Sequence, residues 1–192
     1  RAYLDEVIVW RKLRHPRILP LLGVNENILS PCPCLISPWM RNIIDYTKKV
    51  RRPHSNAWIL YIIEIADAIQ WLHSLQPPVV HADIKGANIL ISDDKRCYLA
   101  NFGLALVVGS HNPRSTSSLQ QGTIHWLALG YLDASSHADI YITSRDIYAF
   151  GCTVVEVCVR YLSTGESPFS HLKHHSAIIH EVLVKRNLSP RP

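Results

Sequence analysis

Residues 81–88 read His81-Ala82-Asp83-Ile84-Lys85-Gly86-Ala87-Asn88 and run directly into an apolar triplet, Ile89-Leu90-Ile91. The segment sets a carboxylate, an ammonium and a primary amide close together in the chain. Taken one at a time, an Asp83 or an Asn88 is an ordinary surface or turn residue, so meaning has to come from what surrounds them. Ser92-Asp93-Asp94-Lys95 supplies turn chemistry, and a second apolar run occupies 97–100, so the spacing predicts a hairpin. Thirteen residues beyond Asn88 stands Asn101-Phe102-Gly103.

Upstream, Ile62, Ile65, Ala66, Ile69 and Leu72 recur at helical spacing. Ser55 or Asn56 can cap that helix, which is expected to run to about Gln76 before Pro77-Pro78 stops it. Residues 4–13 are expected to form a helix that carries Glu6, Trp10 and Leu13 on one face and ends at His15-Pro16. The apolar runs 18–24 and 34–37 read as short strands, with 25–33 as the loop between them. Downstream, 101–130 is long and irregular, and a loop of that length in a folded domain is usually functional. Ser144 can cap a buried helix through Leu162, and a last helix is expected over about 176–185. A few strands followed mostly by helices is an α+β pattern.

Of the 192 residues, 47% are hydrophobic and 18% charged, the latter below the usual ~25%. That composition excludes disorder, collagen and coiled coil as the main description. No apolar run reaches the ~18 residues of a membrane span. The net charge of +5 is scattered, with short clusters at 11–17 and 48–52, and reads as solvated surface rather than a nucleic-acid face. The five cysteines (Cys32, Cys34, Cys97, Cys152, Cys158) are odd in number and show no paired framework, which points to a reducing, cytoplasmic setting. Cys32-Pro33-Cys34 lacks a second pair for zinc, and His171, His174, His175 and His180 read as a polar surface turn. The sole methionine is Met40 and the chain opens on Arg1 inside a helical pattern, so it reads as a fragment that has lost its beginning.

The run His81 to Asn88, followed by Asn101-Phe102-Gly103, resembles the catalytic loop and metal motif of the protein kinase family. Other stretches resemble further parts of that family in the right order. Glu6 lies in a helix like helix C, ahead of Leu13-Arg14-His15-Pro16; Cys34 to Met40 looks like the last N-lobe strand and the hinge. Gly122-Thr123-Ile124-His125-Trp126 resembles the end of the activation segment, Asp146 to Gly151 the start of helix F, and Arg191-Pro192 a late Arg-Pro. Lys85, two residues after Asp83, resembles the tyrosine-kinase-like branch of the Ser/Thr kinases.

The resemblance implies one incomplete kinase domain over 1–192: a partial N-lobe of helix C and two strands (1–38), then hinge and mostly helical C-lobe (39–192) without its last helices. It implies ATP and Mg2+ as cofactors and a protein substrate or signalling partner; it leaves the oligomeric state undetermined. By position, Asp83 would accept or orient a substrate hydroxyl proton and Lys85 would offset charge on the γ-phosphate. Asn88 and the residue at 101 would hold the metal. The C=O of Pro38 and the N–H of Met40 would meet adenine, Leu90 would pack beneath it, and Ser37 would guard the back pocket. Glu6 would be the helix C ion-pair acid. Trp10, Leu21, His81 and Phe102 would stack as the column joining the lobes, and Asp146 would anchor the catalytic-loop backbone.

Four departures from the family bear on activity. There is no GxG among the eight glycines and no strand lysine ahead of Glu6. Asn101 stands where the family has the metal-binding aspartate, and a neutral amide binds a hard divalent cation less well. Ala82 replaces the arginine that meets an activation-loop phosphate, so a switch through Ser115 to Ser118 would lack its partner. Ala128-Leu129-Gly130 lacks the glutamate of the Ala-Pro-Glu motif. Two readings follow: an ATP-dependent Ser/Thr protein kinase, or a catalytically impaired pseudokinase that acts as a binding or scaffold module.

Overall fold

The computed structural model describes residues 2–27, 33–49, 57–108, 124–127 and 143–162. Helix α1 (Ala2–Trp10) comes first, followed by β1 (Gly23–Asn25) and β2 (Cys34–Ile36), which pair antiparallel with Gly23 opposite Ile36. Then come β3 (Arg41–Asn42), α2 (Ile43–Lys49), α3 (Ala57–Ser74) and β4 (Val79–Val80). A 3-10 turn over Gly86–Asn88 leads into β5 (Ile89–Ile91), β6 (Cys97–Leu99) and β7 (Leu106–Val107). A second 3-10 turn (Ile124–Trp126) precedes α4 (Ser144–Leu162). β3, β5 and β6 form one antiparallel sheet with β5 in the middle, and β4 pairs with β7.

The hairpin expected over 89–100 is present, with β5 and β6 joined by a turn in which Lys95 takes a positive φ of 63° and its N–H donates to Ser92 O at 3.0 Å. Ser144–Leu162 is helical as expected. Of the stripe expected on the long helix, Ile65, Ile69 and Leu72 are buried while Ile62 and Ala66 are half-buried; Ala68 is buried as well, and the helix ends at Ser74 rather than Gln76. The first helix ends at Trp10, not at residue 13, and Lys12 and Leu13 continue in turns. The expected last helix over 176–185 and the segment 115–118 lie outside the described residues.

One expected strand needs correction. Of 18–24, only the last two residues are extended in β1. Ile18 instead bridges Leu99 in parallel, with Leu19 N–H donating to Leu99 O at 2.9 Å and Leu99 N–H donating to Arg17 O at 2.8 Å. Those backbone groups are taken by the β5–β6 hairpin, and Pro20 has no N–H with which to extend the pairing. The segment thus joins the first part of the chain to the β5–β6 hairpin. Four further elements, β3, β4, β7 and α2, are not among those expected from the sequence. The two-residue β4 and β7 are too short to show a period. Helix α2 carries an N-terminal cap that was legible: Asn42 Oδ1 accepts the Asp45 N–H at 2.8 Å while Asn42 Nδ2 donates to Asp45 Oδ2 at 2.9 Å.

The core runs from Trp10, Leu13 and Ile18 through Leu99 and Phe102 to α3 and α4, with Phe102, Ile65, Leu72, Ile84 and Leu99 almost fully enclosed. A buried acid, Glu64 on α3, sits beside it. Its Oε2 accepts the Cys97 N–H at 2.7 Å, while Oε1 lies 2.6 Å from Arg96 Nε and 3.5 Å from Arg17 Nη2. The Arg96 approach is close but off the line of an ideal hydrogen bond, so the pair acts mainly through charge. One carboxylate thereby joins α3, the hairpin and the 17–19 segment. Removing it leaves two cations and a buried N–H without their acceptor. Glu64→Ala is expected to lower unfolding stability by about 3 kcal/mol in urea titration, and a loss under about 0.5 kcal/mol would refute this role.

Candidate functional site

The loop 81–88 has little regular structure, so its buried N–H groups must find acceptors elsewhere. Asp146, in the first turn of α4 and fully buried, meets two of them and a histidine ring of α3. Its Oδ2 accepts the His81 N–H at 2.8 Å and stands 2.9 Å from His73 Nε2; its Oδ1 accepts the Ala82 N–H at 2.8 Å. The anchoring role expected of Asp146 matches this placement. Glu156, nearly three turns further along α4 and also buried, accepts the Gly86 N–H at 3.0 Å. A Cβ on Gly86 would stand 2.5 Å from Ile44 Cδ1 and 2.8 Å from Glu156 Oε2, so any larger residue would have to push those side chains aside.

Ala82 takes φ 68°, a left-handed conformation uncommon for a residue with a side chain. Its two peptide groups are gripped from α4: the N–H by Asp146 and the C=O by Arg145 Nη2 at 3.0 Å. Arg145 was not singled out in the sequence, where a lone arginine beside Asp146 carries no signal.

His81 is fully buried. Its Nε2 donates to Ala100 O at 3.0 Å, and its Nδ1 accepts the Asp83 N–H at 3.3 Å, which fixes the neutral tautomer. Burial holds its pKa below the usual 6.5, and the Asp146 and Asp83 carboxylates oppose that shift only in part. The ring meets Phe102 edge-on at 5.0 Å, and Phe102 lies 6.0 Å from Trp10, whose Nε1 donates to Leu19 O at 2.6 Å. Three of the four residues expected in the column are therefore stacked in order, and the fourth, Leu21, is half-buried against the same core.

Asp83, Lys85 and Asn88 meet. Lys85 Nζ lies 3.0 Å from Asp83 Oδ1 and 2.8 Å from Oδ2. Asn88 Nδ2 donates both to Asp83 O at 2.7 Å and to Asp83 Oδ2 at 2.8 Å. Asp83 and Asn88 are buried, and Lys85 is half-buried. Asn101, exposed and at φ 69°, donates from Nδ2 to Asn88 Oδ1 at 3.2 Å. Glu6 reaches the same corner: its Oε2 stands 3.3 Å from where a Cβ on Gly103 would be. Ser37, Pro38, Met40 and Leu90 are half-buried on and beside the β2–β3 connection. A surface cavity of about 530 Å3 lies elsewhere, between His15–Pro20 and the hairpin turn, and none of the catalytic-loop residues lines it.

The arrangement has a carboxylate aimed by two donors, a cation held against it, and an amide fixed beside both. That suits proton acceptance and charge neutralisation at one point. As a magnesium site it does not fit. Asn88 Oδ1 accepts from the Asn101 amide nitrogen, and both members of the pair are neutral, so the pair offers a hard divalent cation no carboxylate. Among the described residues no group of three or more His, Cys, Asp or Glu side chains is placed to hold a metal ion. Burial raises the thiols of Cys97 and Cys152, the latter to about 11, so neither is a ready nucleophile.

A family model described as protein tyrosine and serine/threonine kinase matches residues 1–192. Similar curated proteins include a serine/threonine-protein kinase-like protein of Arabidopsis thaliana, 30% identical over 166 residues, which cover 82% of this chain and 44% of that protein. A probable serine/threonine-protein kinase of Dictyostelium discoideum is 27% identical over 181 residues, 91% of this chain and 29% of that protein. A U-box domain-containing protein of Arabidopsis thaliana is 30% identical over 182 residues, 88% of this chain and 21% of that protein. The chain thus spans less than half the length of each of these relatives.

Two outcomes follow from the loop geometry. Arg145→Met is expected to lower stability by about 1–2 kcal/mol in urea titration, with Arg145→Lys recovering part of it; no loss would remove the clamp on Ala82. The second concerns pH. The unfolded chain protonates His81 near 6.5, while the folded chain resists it until lower pH. The neutral ring's contribution is therefore complete above 6.5 and is lost as pH falls below it, with a slope approaching about 1.4 kcal/mol per pH unit. His81→Phe is expected to lack that part of the pH dependence in parallel denaturation series, and an unchanged slope would count against it.

Proposed function

Because the chain belongs to the protein kinase family, we propose that it is a kinase-fold signalling domain in which phosphotransfer is impaired and whose main work is to bind a protein partner. The family uses ATP and Mg2+, and its homologues here are Ser/Thr kinases and kinase-like proteins. The observation that carries the reading is the Asn101 amide on Asn88 Oδ1, where a magnesium-binding carboxylate is expected. A charge pair at ~4 Å is worth about 4 kcal/mol at an effective dielectric near ~20, and solvation offsets part of it, so loss of that carboxylate removes much of the cation's attraction. Ala82 and Ala128-Leu129-Gly130 support the same reading, since each lacks a family side chain used in activation or in the substrate platform. A cytoplasmic setting fits the cysteine usage.

The second reading, ATP-dependent transfer to Ser or Thr of a protein substrate, is favoured by the close Asp83–Lys85–Asn88 geometry. In it Asp83 takes or orients the hydroxyl proton and Lys85 faces the γ-phosphate. The Pro38 carbonyl and Met40 N–H hold adenine above Leu90, with Ser37 behind them and Glu6 on the helix C side.

The two readings separate in one assay. The chain is incubated with labelled ATP, magnesium and a generic protein substrate, beside an Asp83→Ala control. No incorporation above that control is expected. Asp83-dependent incorporation would overturn the impaired reading in favour of the enzyme.

A further inference from the structure

The corner between Asn88 and Asn101 is closed by hydrogen bonds that leave little choice of orientation. Asn88 commits its amide nitrogen to two acceptors of Asp83, the main-chain O at 2.7 Å and Oδ2 at 2.8 Å. Neither acceptor can be turned into a donor while Asp83 is ionised, so the Asn88 amide cannot flip. Its Oδ1 must therefore face outward, and what faces it is Asn101 Nδ2 at 3.2 Å.

The main chain fixes the residue before Asn101. Ala100 N–H donates to Asn88 O at 3.0 Å, and Ala100 O accepts from His81 Nε2 at 3.0 Å. With Nδ2 turned towards Asn88, Asn101 Oδ1 is turned the other way. It lies 3.4 Å from where a Cβ on Gly103 would stand, and Glu6 Oε2 lies 3.3 Å from the same point. The two amide oxygens that a shared cation would need thus point apart. Mg2+ demands near-octahedral oxygens at about 2.1 Å, and both side chains are neutral.

We propose that the Asn88–Asn101 pair is a latch that excludes a divalent cation from this corner, so that the site is assembled without one. This rests on the impaired-phosphotransfer reading above and deepens it. An aspartate at 101 would set two acceptors against each other, a conflict that a cation between them resolves. Asparagine resolves it with its own N–H, and the same atom that satisfies Asn88 blocks the ion.

Paramagnetic Mn2+ tests this without any turnover. In the 15N-labelled chain, with Mn2+ at millimolar concentration alone and with ATP, the side-chain amide signals of Asn88 and Asn101 are expected to keep their intensity. In Asn101→Asp the Asn88 signals are expected to be lost. Loss in the unaltered chain, or persistence in Asn101→Asp, overturns the latch. Should Asn101→Asp not fold, Asn101→Ala removes the donor without adding charge. The Asn88 side-chain signals are then expected to shift, and unmoved signals overturn the proposal. The two ideas fail separately. Asp83-dependent phosphate transfer with unbroadened signals sinks the impaired reading and leaves the latch standing. Broadened signals without transfer do the reverse.

Discussion

The buried carboxylate of Asp146 is the constraint on which the catalytic half depends. A fully enclosed carboxylate is expensive unless it is well hydrogen-bonded, and this one faces the N–H groups of His81 and Ala82 and the ring of His73. Those contacts link α4, the end of α3 and the start of the catalytic loop at a single residue. Nothing in the loop's own backbone pattern could hold His81 and Ala82 in place, because neither lies in a helix or strand. With the loop start fixed, His81 is set between Phe102 and Ala100 O, and the aromatic column to Trp10 follows from that placement.

The same solution recurs along the segment. Glu156 takes the Gly86 N–H and Glu64 takes the Cys97 N–H, so three buried acids on two helices each satisfy a stretch of an otherwise poorly paired chain. An irregular buried loop must have its donors met by side chains. Acids do this more strongly than neutral acceptors, because their bonds are charge-assisted. A cation adds to the same hold on the loop. Arg145, one residue before Asp146, brings a guanidinium to the carbonyl of Ala82 from the helix side.

How far this was legible depended on whether a residue's partners lay near it in sequence. The hairpin and α4 were legible because turn chemistry and capping are local, whereas Asp83, Lys85 and Asn88 acquired meaning only from the resemblance to the kinase family. The column of Trp10, His81 and Phe102 was legible only through family resemblance, since its members are distant in the chain. Ile18 was misread because its apolar run looks like any strand, while its actual partner, Leu99, sits eighty-one residues away. Glu64, Glu156 and Arg145 were missed for a related reason. A charged residue on an amphipathic helix normally faces water, and no local pattern marks the one whose carboxylate is swallowed by a loop. The cap on α2 was available in Asn42 and Asp45 and went unread.

The neutral pair at 88 and 101 separates two properties that the family ordinarily couples. Where an aspartate and an asparagine share a cation, the ion carries part of the contact between the catalytic loop and the strand that follows the hairpin. Here a direct Nδ2 to Oδ1 bond makes that contact, reinforced by the Ala100 N–H on Asn88 O. Lys85 sits on Asp83, and both amides are neutral. The fold of the loop therefore rests on acceptors that the chain itself supplies: Asp146 for the N–H groups of His81 and Ala82, Glu156 for that of Gly86, and Asp83 for the amide of Asn88.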